Sequence, residues 1–460
     1  MTKHRHLRKV LIALGLCAAL LIAIAACGTP GSNGEATTHP PAEDTGIVLN
    51  LFQPHHGQAS LWQALAADYK NLTGVTLNVH TPAMGSDALE ELKDFFDRDD
   101  APGLFLFNNP RHYHEWREHA HDLSGIAAYG RLVDDRFVLR YDDKAVGLPL
   151  GLEAFGIIYN EDILNAYFAL SDRGTDFESI TQINTYRELE ALVRDLHEHR
   201  EELDIDGVFA APGLREGEHT AWSTRLLSIP VGYEIKSQNH DVIGNDMDDL
   251  HLRYEAGYRG FHELHWGHLT TREGLENRGY ADAAREFTTG RAAMIMGSTD
   301  FYGYLSAVTG ATVSIDDIAF MPAFMQIESV NRQGLSFEAV HYAAINGHAD
   351  EEQIRASEQF LDWLVTSERG MTFLVNELNV IAPFDSVLGG TAQHNPLAEN
   401  AIYWLQNENV TNAVTYSMIH PGDEFRDQVM GAGLRAYARG ERAWDRFVED
   451  IREGWHRHFD

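Results

Sequence analysis

From Ile47 onward, apolar positions alternate between short runs and helical spacing. IVLNLFQ (47–53) predicts a strand. Ser60 then stands where it caps a helix carrying Leu61, Leu65, Tyr69 and Leu72 on one face, with Gly74 just past its end. VTLNVH (75–80) predicts a second strand, Leu89, Leu92, Phe95 and Phe96 mark the next helix, and GLFLF (103–107) reads as a third, buried strand. Strand–helix alternation with short turns predicts an α/β chain with a parallel, doubly wound sheet, whose ligands lie beyond the carboxyl ends of the strands. Gln53 to His56, Thr81 to Gly85 and Asn108 to His112 then share one rim. The second half is more helical. Asp350 with Gln353 forms a capping-box pattern ahead of Ile354, Leu361, Leu364 and Val365, and a last helix is predicted around Ala443 to Trp455.

Before Ile47 the pattern is of another kind. Lys3, Arg5, Arg8 and Lys9 precede a run of 17 apolar or small residues, Val10 to Ala26. That is short of the ~20 residues of a spanning helix and has the layout of a secretory signal. It ends Ile24-Ala25-Ala26-Cys27-Gly28, which resembles a bacterial lipobox with Cys27 as the lipidated residue. Residues 1–26 are therefore read as a lipoprotein signal peptide. Residues 27–46, rich in Gly, Pro, Ser and Thr, are read as a flexible tether. The two cysteines are Cys17, inside the signal, and Cys27. The mature chain is left without a thiol for a disulfide, a metal or a nucleophile.

Charge narrows the partners. The chain carries 36 basic and 69 acidic side chains, a net −33. Cleavage before Cys27 removes four bases and no acid, giving −37. Such a field repels nucleic acid and anionic membrane, and no basic patch interrupts it. Apolar residues at 44% are ordinary for a globular chain.

Enzyme signatures are missing: there is no GxxxxGK[ST], no GxGxxG after a strand and no GxSxG. Two groups of the 24 histidines stand out, His112/His114/His119/His121 and His262/His265/His268. Neither has the i, i+4 spacing of HExxH, so both are read as solvated surface histidines and no metal or other cofactor is expected. Sugar sites pair aromatic platforms with polar side chains. Phe155 in GLEAFGIIYN, Trp222 in GEHTAWSTRLL and Tyr302 in GSTDFYGY have that setting, whereas Trp266 reads as helix surface or packing.

Several segments resemble one family. VGLPLGLEAFGIIYNEDIL (146–164) looks like the first interlobe crossover of family 1 extracellular solute-binding proteins of ABC transporters, and EFTTGRAAMIMGS (286–298) looks like the second. APGLFLFNNPR (101–111), SEQFLDWLVTSERG (357–370), LNVIAPFDS (378–386) and RAYARGERAWDRFVEDI (435–451) resemble further family segments in the same order. The resemblance implies two α/β lobes joined by crossover hinge segments and closing on a ligand. By it, 47–152 and 299–345 form lobe 1. Residues 153–298 and 346–460 form lobe 2, with C-terminal helices packing across both.

The ligand-binding residues it implies are Gln53, Asn108, Asn109, Arg111, Glu153, Phe155, Thr220, Trp222, Thr299, Asp300 and Tyr302, with His219 beside Thr220. Thr299 stands where sugar-binding members often carry Trp, so that either Phe301 or Tyr302 replaces it or the platform is lost. Gly103 stands where the family commonly has Asp, and the C-terminal region lacks an obvious aromatic partner unless Phe425 serves. A period of two sets Glu153, Phe155 and Ile157 on one strand face. Glu153 then either holds ligand hydroxyls or pairs with an arginine. The implied function is a monomeric, lipid-anchored subunit that captures a sugar or oligosaccharide for ABC permease subunits without doing chemistry. It would work at the extracellular face of the cell membrane, or in the periplasm where an outer membrane exists. The alternatives are a secreted carbohydrate-active enzyme and a metal-uptake binding protein.

Overall fold

The computed structural model describes residues 42–107, 113, 115–237, 250–388, 395–415 and 424–459. Its strands are β1 Val48–Phe52, β2 Thr76–His80, β3 Leu104–Phe107, β4 Leu139–Tyr141, β5 Lys144–Asn160, β6 Gly207–Phe209, β7 Ala292–Ser298, β8 Ile318–Met321, β9 Gln333–Ile345 and β10 Thr411–Thr415. They order as β2-β1-β3-β9-β5-β7-β6, with β4 and β8 on β5 and β10 on β9.

The first three strands pair in parallel, as the alternating pattern predicts. Period two divides their side chains between two covered faces. Leu49, Leu51, Leu104 and Leu106 pack with Trp62, Leu65 and Tyr69 of the helix Ala59–Thr73. Phe52, Phe105 and Phe107 pack with Leu92 and Phe95 of the helix Ala88–Phe96. Each such side chain contributes about 1.5–3 kcal/mol by leaving water. Helix Ala59–Thr73 ends at Gly74, whose φ of +77° places it in the left-handed region. Its buried face runs through Trp62, while Leu72, expected on that face, is 55% exposed in the last turn.

Past β3 the sheet turns antiparallel. β9 lies between β3 and β5, matching Phe107 to Tyr342 on one side and Leu148 to Ala343 on the other. β5, 17 residues long, is the spine. Its stretch from Leu148 to Phe155 pairs with β9, and further along Ile157 faces both Met296 of β7 and Met321 of β8. One strand thus passes from the parallel N-terminal strands to the neighbourhood of β7 and β6.

Helix Glu351–Thr366 is capped by Asp350, which accepts from the Gln353 backbone N–H at 2.8 Å. The Gln353 side chain does not complete the predicted box. Its amide bonds β1 instead, donating to the Val48 carbonyl and accepting from the Asn50 N–H at 3.4 Å. Phe360, Leu361 and Leu364 accordingly share a cluster with Leu49 and Leu51. A Cβ at Gly103 would stand 2.9 Å from the Gln353 Oε1 and 3.1 Å from the Ser357 Oγ. Close approach of this helix therefore accounts for glycine at that position. The last helix, Trp444–Phe459, buries Phe447 and Ile451 in the other cluster. Among the described residues no helix is long and apolar enough to cross a membrane.

Candidate functional site

The pairing of β5 with β9 sets Glu153 directly opposite Glu338. Like charges facing across an antiparallel pair are unfavourable. Arg225 offsets them: its Nη2 donates to the Glu153 Oε2 at 2.5 Å, and its Nη1 lies 3.9 Å from the Glu338 Oε2. The side chains of Arg225, Glu153 and Glu338 are 23%, 17% and 13% exposed, so the group lies beneath the surface with an opening to solvent. Arg225 ends a π-helical turn, Ala221–Arg225, of the kind that recurs at functional sites.

A third carboxylate, Asp300, follows β7 and accepts from the Ser298 hydroxyl. Burial, then the field of Asp300, pushes the Glu153 carboxyl up to about 7; Arg225 opposes the rise and Glu338 adds to it. Burial works against the charge on Arg225, but Glu153, Asp300 and Glu338 outweigh it and hold the guanidinium further above its ordinary value. Of the two roles open to Glu153, the pairing with an arginine is thus present. The partner comes from the π-helical turn, and Glu338 shares it.

The aromatic residues singled out on sequence are turned inward, Tyr302 excepted. Trp222 is 1% exposed and tilts against the Tyr280 ring at 5.8 Å. Phe155 and Phe301 are each 4% exposed, the latter edge-on to Tyr280 at 5.8 Å. Phe425 is buried against Trp455 at 5.6 Å. Tyr302 is half-buried at the start of the helix Tyr302–Ser306. Thr299 is a crosspiece: its hydroxyl accepts from the Ala154 N–H at 3.3 Å and its carbonyl from the Asn395 amide at 2.9 Å. Thr220 is half-buried where the π-helical turn begins. His219 before it is buried, with Nδ1 3.0 Å from the Ser223 Oγ and Nε2 3.3 Å from Asp427 on the π-helical segment Phe425–Gly431. It ties two π-helical segments together. Burial is the main pull on its pKa and takes it down, against Asp427.

On the rim, Gln53 is fully buried and its amide is committed locally. Nε2 donates to the His55 carbonyl at 3.0 Å and the Thr81 hydroxyl at 2.5 Å, and Oε1 accepts from the His55 N–H at 2.9 Å. It holds the exits of β1 and β2 together. Asn108, Asn109, Arg111, His112, His114 and Cys27 lie outside the described residues.

Sequence reasoning missed Glu338, Arg225 and His341. The first two carried a signal, since Glu338 is the single acid in the apolar strand GLSFEAVHYAAI and Arg225 the single arginine of AWSTRLLSIP. His341 carried none. It sits in β9 with φ +55°, in the left-handed region that a non-glycine residue adopts at some cost, and meets His55 edge-on at 5.0 Å. Burial, with His55 second, takes its pKa down to about 3.

The histidine clusters hold no metal-ligand set among the described residues. His119 Nδ1 meets His348 Nε2 at 2.9 Å, and His121 Nε2 meets Glu358 at 3.0 Å. His262 and His265 overturn their reading as solvated: both are 1% exposed, because the helix Glu255–Gly267 buries the face that carries them with Tyr258 and Phe261. The one group of three close ligating side chains described is Asp172, His199 and Glu202, with the two carboxylates exposed.

No protein-family profile and no curated protein matches the chain. Solved structures do. RafE from Streptococcus pneumoniae, in its apo form, is similar at 14% identity and a TM-score of 0.65, over 91% of this chain and 99% of that one. A family 1 extracellular solute-binding protein from Bifidobacterium longum subsp. infantis is similar at 12% identity and 0.61, over 90% and 99%. An ABC transporter solute-binding protein from Agrobacterium radiobacter K84, solved with ribitol, is similar at 15% identity and 0.57, over 90% and 100%. The chain has the two-lobed fold of these solute-binding proteins.

Proposed function

We propose that this chain captures a small hydroxyl-rich solute, a sugar or polyol, between two lobes and passes it to the permease of an ABC importer. The observation that carries the reading is the largely buried Glu153–Arg225–Glu338 group where β5 and β9 run side by side. It sits on the strand that links the two parts of the sheet, and carboxylates with a guanidinium suit hydroxyls as acceptors and donors. The solved neighbours with ribitol or raffinose bound support the solute class. In this reading β5 and β9 carry the hinge, and function lies in the difference in affinity between open and closed states. A lipid on Cys27 would hold the chain at the outer face of the membrane, and Cys27→Ala should release it from the membrane fraction or leave it as precursor.

Calorimetry and thermal shift against raffinose, maltose and ribitol test the reading. A bound solute raises stability by about 2.7 kcal/mol at a hundredfold excess over Kd. It should also reduce the radius of gyration in small-angle scattering. A ligand that binds tightly and changes neither removes the closing-lobe mechanism. Hydrolysis products appearing from an oligosaccharide would move the reading to an enzyme built on Glu153 and Glu338.

A further inference from the structure

One aromatic ring past the end of β7 is left open to solvent. Tyr304, on the helix Tyr302–Ser306, is 43% exposed, whereas Phe155, Trp222 and Phe301 lie in the core. Its ring is braced by Tyr280 at 5.4 Å and by Phe301 at 5.3 Å, so its orientation is set before any ligand arrives. Tyr280 in turn meets Trp222, which shares the π-helical turn with Arg225. Tyr304 lines a surface hollow of about 490 Å³ together with Asp300, Arg285 and the apolar side chains of Ala281, Ala307 and Val308. That volume falls within the ~300–1,000 Å³ of small-molecule sites. The two charged groups in the hollow are largely uncommitted. Asp300 gives one oxygen, Oδ1, to the Ser298 hydroxyl. Among the described residues nothing hydrogen-bonds its other oxygen, and Arg285 makes neither an ion pair nor a side-chain hydrogen bond. Tyr302 is half-buried and does not line the hollow.

We propose that this hollow holds a pyranose ring stacked on Tyr304, its hydroxyls donating to Asp300 and accepting from Arg285, so that the solute is a ring sugar and not an open-chain polyol. This rests on the sugar or polyol reading above and narrows it. A pyranose presents a flat face of C–H groups and an edge of hydroxyls. An accessible aromatic face receives the first, and a carboxylate beside a guanidinium receives the second. An open-chain polyol has no rigid apolar face to set on the ring, and it loses rotor freedom when it binds. Phe301, buried behind Tyr304, serves as a brace and not as a platform. Asp300 belongs to both places: it lines the hollow, and its field acts on the Glu153 carboxyl.

The test is calorimetry on the intact protein with raffinose and maltose as ring sugars and ribitol as the open-chain probe. The parent should bind a ring sugar more tightly than ribitol. Tyr304→Leu keeps apolar bulk and removes the aromatic face. It should weaken the ring sugar about two- to twelve-fold, the range of an aromatic contact, and leave ribitol unchanged. Tyr304→Phe and Tyr302→Leu should bind as the parent does. Arg285→Met, at an exposed position, should weaken the ring sugar roughly ten- to 150-fold, the range of a hydrogen bond to a charged group. It tests the same hollow if Tyr304→Leu folds poorly. Ring-sugar binding that neither Tyr304→Leu nor Arg285→Met weakens overturns the proposal and leaves the sugar or polyol reading standing. Ribitol binding without raffinose or maltose does the same, as does a loss on Tyr302→Leu in place of Tyr304→Leu. Binding by none of the three probes overturns both.

Discussion

Two buried polar groups of this chain are built on opposite terms. Beside the strand pair β5/β9, Glu153, Glu338 and Arg225 are 13–23% exposed, and opposite charges face one another at 2.5 and 3.9 Å. In the helix Glu255–Gly267, Tyr258, His262 and His265 are 1% exposed, and none of their side-chain polar atoms has a hydrogen-bond partner among the described residues. Rings surround them instead: His262 lies 4.7 Å from Tyr258 and 5.1 Å from Trp444, and His265 lies 4.8 Å from Phe209. The first group keeps charge under partial burial because partners are supplied. The second gives charge up, and burial takes both histidines down to about 3. A buried titratable side chain is thus an exchangeable site in one place and an apolar spacer in the other, and the difference is the partner.

The largest effect that could break this comparison is removal of the shared cation. Arg225→Met leaves Glu153 and Glu338 opposed with nothing between them. Breaking a buried pair from one side costs about 3–5 kcal/mol. Urea unfolding at pH 8 should show that loss, and the loss should shrink at pH 5, where Glu153 takes a proton. A variant as stable as the parent at pH 8 would mean that Arg225 does not compensate the carboxylates.

The aromatic group predicts a pH dependence of the opposite sense. His262 and His265 have folded pKa values depressed from 6.5 to about 3. Between those values the unfolded chain binds the protons, so stability is full above 6.5 and falls as pH falls. The loss is about 2 kcal/mol per histidine between pH 7 and pH 5. His262→Phe keeps a ring among Tyr258 and Trp444 and should remove its share, narrowing the gap in urea midpoint between the two pH values. An unchanged gap would show that His262 is charged or solvated in the folded state.

The same contrast explains what could be read in the sequence. The parallel strands were legible because apolar runs at 47–53, 75–80 and 103–107 alternate with helical spacing, and local pattern dictates such units. The β5–β9 pairing was not, since Glu153 and Glu338 are 185 positions apart and only the folded register sets them opposite. Family resemblance singles out Glu153 but not Glu338 or Arg225, which the fold sets beside it. The inward turn of Trp222 and Phe301 is set by Tyr280, which no local pattern connects to either. His262 and His265 were misread even though the signal was local. With Tyr258 and Phe261 they follow the i, i+3, i+4, i+7 spacing of a core-facing stripe, but their residue type suggested solvent.

The smallest effect separates a satisfied hydroxyl from an orphan one. Tyr258 is 1% exposed and its hydroxyl has no hydrogen-bond partner among the described residues, so the folded state bears its desolvation uncompensated. Tyr167 is fully buried too, but its hydroxyl donates to the Asp195 carboxylate at 2.5 Å and meets the Thr175 hydroxyl at 2.7 Å. Tyr167→Phe should therefore cost about 1.5–3 kcal/mol, the worth of a hydrogen bond to a charged group. Tyr258→Phe should be neutral or stabilising by up to about 1 kcal/mol, because it deletes a polar atom that nothing satisfies. Paired urea unfolding of the two variants at pH 7 reads the difference. If Tyr258→Phe costs as much as Tyr167→Phe, the Tyr258 hydroxyl has a partner, most simply a buried water, and the aromatic group around His262 is wetter than its ring packing indicates.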